Sequence, residues 1–110
     1  MAWTYLFIAG LLEIAWAIGL KYTDGFRRPV ASVITIVLMI GSFYVLSLAV
    51  RTLPIGTAYA VWTGIGAFGT AVLGMYLFNE PVNLPRIACL ALIIAGIVGL
   101  KVTAGERLPP

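Results

Sequence analysis

Histidine is absent from the 110 residues, which excludes imidazole metal sites and histidine-based catalytic dyads. One cysteine, Cys89, is present, so no disulfide can close within the chain. It lies in an apolar run and reads as a small packing residue. Charge is scarce as well. Charged residues make up 10% of the chain, with Lys and Arg numbering 7 against 4 Asp and Glu. A soluble domain needs far more charge than this on its surface. The net charge of +3 does not form a basic patch interleaved with aromatics, so a nucleic-acid interface is excluded. The bases suit helix ends anchored at lipid headgroups.

Apolar residues are what the chain has in quantity. They reach 62%, and the mean hydropathy is +1.07. A helix that crosses a bilayer needs about 20 mostly apolar residues, and the sequence offers four such stretches. Helix 1 is expected over residues 3–20, helix 2 over 29–50, helix 3 over 56–78 and helix 4 over 86–103. Together they use the chain as a single transmembrane domain, leaving no room for a soluble one. The tail from Ala104 to Pro110 reads as short and mobile. The apolar runs do not alternate every second residue, so helices are preferred to barrel strands. The first run has no basic leader and contains a glutamate, which argues against a cleaved signal peptide. Asp24-Gly25 signals a turn before helix 2, and Pro29 suits a first helical turn. Lys101, near the end of helix 4, can snorkel to the interface.

An even number of spans puts both termini on one side of the membrane. That side carries Arg51, Lys101 and Arg107; the other carries Lys21, Arg27, Arg28 and Arg86. Orientation follows an excess of basic residues, and here the two sides nearly balance. The chain is therefore expected to insert both ways up. Two copies in opposite orientations would form the inverted pair that larger transporters encode as internal repeats.

Glu13 falls near the midpoint of helix 1. A charged carboxylate at the bilayer centre costs at least ~2–3 kcal/mol, and desolvation disfavours its ionised form. No basic residue lies inside a span to pair with it. Such a group can hold a proton, or release it and take a cation instead. That competition is the minimal device for proton-driven export. Trp16 lies three residues further on, on the same face of helix 1. Tyr59, Trp62 and Gly66 share a face of helix 3. Aromatic rings beside a carboxylate can hold a cation. Trp3 and Tyr5 fit an interfacial belt instead. On helix 2, Thr35 and Ser42 share a face, and each hydroxyl taken alone is expected to bond its own helix backbone. Helix 3 is rich in small residues, with Gly64-Ile65-Gly66 near its middle. This run reads either as close helix packing or as a bend.

Taken together, these residues resemble the small multidrug resistance transporters over essentially the whole chain. The likeness rests on Glu13-Ile14-Ala15-Trp16-Ala17, on Pro54-Ile55-Gly56-Thr57-Ala58-Tyr59-Ala60-Val61-Trp62-Thr63-Gly64-Ile65-Gly66, and on Ile94-Ala95-Gly96-Ile97-Val98-Gly99-Leu100-Lys101. Within the family, the stretch from Trp16 through Leu20-Lys21-Tyr22, Ser42 on helix 2 and Trp62-Thr63-Gly64-Ile65-Gly66-Ala67 on helix 3 are more similar to the guanidinium exporters than to the broad multidrug exporters. The resemblance implies an antiparallel homodimer in a bacterial plasma membrane that exchanges protons for guanidinium ion, with no cofactor. It implies that Glu13 binds either ligand and that Ser42 bonds Glu13 or sits beside it. Trp16, Tyr59 and Trp62 would shape the pocket. Helix 4 would supply the dimer contact, through Leu92, Ala95, Gly96 and Gly99. Two alternatives stand beside this reading. One is an exporter of lipophilic quaternary ammonium or polyaromatic cations, and the other is a membrane interaction protein that transports nothing. No nucleophile–base pair or metal cluster points to an enzyme.

Overall fold

The computed structural model describes residues 2–104. The chain folds as four α-helices: α1 (Ala2–Thr23), α2 (Pro29–Ala49), α3 (Ile55–Leu77) and α4 (Leu84–Ala104). Each is long and apolar enough to cross a membrane. A 22-residue helix such as α1 spans about 33 Å at 1.5 Å per residue, close to the hydrocarbon thickness of a bilayer. The expected tail lies outside the described residues except for Ala104, and Arg107 of the charge balance lies there too.

The helix ends depart from the expected bounds where side chains extend or cap them. α1 continues past Leu20 to Thr23, whose hydroxyl donates to the Leu20 carbonyl at 2.8 Å and accepts from the Phe26 N–H at 3.2 Å. Asp24 and Gly25 then turn the chain with φ of 52° and 68°, the left-handed region that Gly adopts freely and Asp tolerates. α4 starts before Arg86 because Asn83 caps it, its Oδ1 accepting from the Arg86 N–H at 2.9 Å. Pro85 sits in that first turn, where a missing N–H costs nothing. α3 ends with Asn79 at φ 55°, while the Phe78 and Glu80 N–H groups both bond the Gly74 carbonyl. This left-handed close satisfies a carbonyl that would otherwise be orphaned. Arg86 then donates to Glu80 Oε1 at 2.6 Å.

Lipid is as apolar as the side chains, so helices associate by close packing rather than by expulsion of water. α1 sits between α2 and α3, and α4 packs on α3. Glycines set the approach. A Cβ on Gly10 would strike Ile65, one on Gly69 would strike Ile14, and one on Gly64 would lie 3.1 Å from Ile97 Cδ1. Leu6, Ala9, Ala49, Ala58, Val61 and Trp62 form the buried centre. The molecule measures 46 × 35 × 17 Å. Four membrane-length helices thus make a slab, and large apolar side chains such as Ile40, Tyr76 and Leu92 stand exposed on it. Cys89 is also exposed on α4, not packed inside as its apolar run suggests.

Candidate functional site

Glu13 sits at mid-span of α1, and its carboxyl lies directly against Gly66 of α3. A Cβ at Gly66 would overlap the Glu13 carboxyl carbon and Oε1. Any larger residue there would displace the acid, so the glycine makes the room the carboxyl occupies. The helix around it is unbroken from Ile55 to Leu77. Gly64 and Gly66 are both closely packed, on two sides of this helix. Gly64 receives Ile97 of α4, and Gly66 receives Glu13 of α1.

Glu13 Oε1 is buried and has no hydrogen-bond partner among the described residues. The same holds for Trp16 Nε1 and for Thr70 Oγ1, one turn beyond Gly66. Thr70 was not singled out in the sequence, where one hydroxyl in a glycine- and alanine-rich helix carries no signal. Thr63, by contrast, bonds the Tyr59 and Ala60 carbonyls of its own helix, the usual fate of a hydroxyl in lipid.

Ser42 behaves differently from that usual fate. It is fully buried, and its hydroxyl crosses to α1 to donate to the Ala9 carbonyl at 2.8 Å. This corrects the expectation of a bond within its own helix. Trp62 Nε1 of α3 donates to Ser42 Oγ at 3.1 Å. One hydroxyl thus ties three helices together, one turn of α1 before Glu13, and its contact is with the backbone rather than with the carboxyl. Two polar groups that would be costly to bury alone satisfy each other. Thr35 is buried on the same face of α2, against Gly19.

Replacing Ser42 with Ala leaves the Trp62 indole N–H without its acceptor inside the bundle. The expected cost is about 1–3 kcal/mol of stability, read as a lower midpoint of thermal unfolding in detergent. A variant with an unchanged midpoint would show that the bond holds little.

The aromatic side chains form a chain of rings. Trp16 meets Phe43 edge-on at 6.1 Å, Phe43 meets Trp62 at 5.7 Å, and Trp62 meets Tyr59 at 5.7 Å. Such tilted and edge-on pairs are favourable. Trp62 is buried, Trp16 is half-buried, and Tyr59 and Phe43 are exposed. Phe43 escaped notice in the sequence. Its adjacency to Ser42 at mid-span, far from any interfacial belt, is the signal that could have found it.

The residues expected at a dimer contact lie apart from this cluster. Leu92, Ala95, Gly96 and Gly99 are all exposed on α4. Among the described residues nothing beyond its own stretch of helix comes within 4 Å of a Cβ built on Gly96 or Gly99. Leu92 and Gly96 border an open groove of about 390 Å³ whose other wall is Ala60, Thr63, Gly64 and Ala67 of α3. Among the described residues no cluster of acids and cysteine could hold a metal.

Four helices long and apolar enough to span a membrane, with an acid group midway along the first, define a polytopic membrane protein. The chain belongs to the family described as Small Multidrug Resistance protein, which matches residues 1–93, and the relatives it matches are named as exporters rather than enzymes. It is 59% identical over 104 residues to a guanidinium exporter of Yersinia pseudotuberculosis, covering 94% of this chain and 100% of the relative. A guanidinium exporter of Proteus vulgaris is 57% identical with the same coverage. One of Salmonella typhimurium is 59% identical over 103 residues, covering 94% of this chain and 98% of the relative.

Proposed function

We propose that the chain exports guanidinium ion in exchange for protons, with both ligands competing for Glu13. The observation that carries this reading is a mid-span carboxyl whose Oε1 has no hydrogen-bond partner among the described residues and whose helix bundle offers no basic side chain at that depth. Relatives named guanidinium exporters, matched over nearly their full length, support the choice of cation. Guanidinium is planar and presents paired N–H donors that match a carboxylate fork. Trp16 and Tyr59 offer ring faces for a cation. A lipophilic quaternary ammonium ion has no N–H to give to such a fork.

The functional unit in this proposal is an antiparallel homodimer working by alternating access. Two Glu13 carboxyls, one per protomer, face a shared chamber. Proton release on one side admits the cation, and proton entry on the other displaces it. The exposed small-residue face of α4 at Leu92, Ala95, Gly96 and Gly99 provides the contact between protomers. The slab shape supports this, because a layer 17 Å thick cannot enclose a substrate alone. The near balance of basic residues on the two sides supports opposed insertion.

Purified protein in proteoliposomes tests the proposal. Under a proton gradient, guanidinium is expected to evoke current and a large polyaromatic cation none. Equal currents from both would instead favour a multidrug exporter. No current from any cation would favour an interaction protein.

A further inference from the structure

A second groove lies on the other side of α3 from the one beside Leu92. Successive residues turn by about 100° on an α-helix, so Val61 and Ile65 project away from Thr63 and Ala67. Val61 and Ile65 form the floor of an apolar groove of about 170 Å³, with Leu6 and Phe7 of α1 on one wall and Ile97 of α4 on the other. Trp3 and Lys101 complete its lining. Both belong near helix ends, Trp3 at the start of α1 and Lys101 close to the end of α4. The Lys101 ammonium lies 5.3 Å from the centroid of the Trp3 ring. The groove is therefore greasy along its length and cationic at one rim.

We propose that this groove binds one phospholipid with an anionic headgroup, its acyl chain lying along Phe7, Ile65 and Ile97 and its phosphate at Lys101. Three observations select that occupant. The exposed Phe7 and the half-buried Ile65 and Ile97 border the groove on a spanning bundle, where acyl chains are the available apolar matter. Its lining is almost wholly apolar, so it makes no demand for hydrogen bonds along its length. Its one charge is positive and sits at headgroup depth. The acids Asp24 and Glu80 lie in the loops at the opposite end of the bundle, and Glu106, beyond Lys101 in the sequence, lies outside the described residues. The Trp3 ring holds the ammonium through its face, which leaves the N–H donors for phosphate oxygens. Tryptophan at this depth is itself a headgroup-level residue. The site is independent of the transport proposal, because it uses neither Glu13 nor the ring cluster.

Native mass spectrometry of the full-length purified protein tests this. Delipidated protein is incubated with equal amounts of palmitoyl-oleoyl phosphatidylglycerol and palmitoyl-oleoyl phosphatidylcholine, and the retained lipid is counted. Retention of phosphatidylglycerol is expected to exceed that of phosphatidylcholine by about fivefold, the effect of one basic residue near a charged headgroup. Lys101→Gln is expected to level the two, and Lys101→Arg to keep the preference, which guards against a fold defect. Phe7→Trp adds volume to the groove and is expected to lower retention of both lipids. Equal retention by the unaltered protein would overturn the proposal. So would a preference that survives Lys101→Gln, which would assign it to other bases, or retention unchanged in Phe7→Trp.

Discussion

Glu13→Gln in proteoliposomes is expected to reduce guanidinium uptake against a gradient to the level of vesicles without protein. The substitution keeps the size of the side chain and its place against Gly66. It removes the charge that would pair with a cation and the proton that would be exchanged for it under the proposed mechanism. Fold and insertion are expected to persist, since the neutral amide is easier to hold in lipid than a carboxylate. The loss would therefore belong to chemistry and not to stability. The unaltered protein should show the complementary pH behaviour. On the proposed mechanism the ionised carboxylate binds the cation and the protonated one does not. Acidification is then expected to weaken guanidinium binding, approaching about tenfold per pH unit once the protonated form dominates. Uptake by Glu13→Gln that still follows an imposed pH difference, or binding in the unaltered protein that ignores pH, would remove Glu13 from the mechanism.

Gly66→Ala is the second large expected effect. The added methyl would occupy the position of the Glu13 carboxyl carbon. Either the acid changes rotamer or α1 and α3 separate. Overpacking of this kind costs about 1–3 kcal/mol, and it moves the one group on which the proposed transport depends. Both thermal stability and guanidinium binding are expected to fall. Gly56→Ala is the matched control in the same helix. A Cβ there meets nothing within 4 Å, so stability should stay within about 0.5 kcal/mol of the unaltered protein. If Gly66→Ala melted and bound like Gly56→Ala, the close contact between glycine and acid would be unimportant.

Much of this architecture was legible in the sequence because lipid makes stringent demands. Every backbone polar group must be paired inside its own span, so long apolar runs read as helices with little ambiguity. Glu13 stood out for the same reason: an ionisable group between uncharged stretches has few structural excuses. What sequence could not give is direction around each helix. Ser42 was legible as a hydroxyl at mid-span, but only the packing shows it bonded to Ala9 and Trp62. Gly66 was legible as a small residue, but the group filling its space is contributed by another helix. Phe43 was missed because one more phenylalanine in an apolar span looks like all the others. The cap at Asn83 was missed because it sits between two prolines in a loop of mixed character.

The slab has a consequence for how damage to this protein would be recognised. A wall encloses nothing until a second wall stands opposite it. Gly96 meets no neighbouring helix among the described residues, and yet it faces outward, where the partner of the proposed dimer would meet it. Random mutagenesis should therefore recover a class of variants that express, insert and melt normally and are nonetheless dead. Their positions, plotted on the surface, would trace the footprint of the proposed partner.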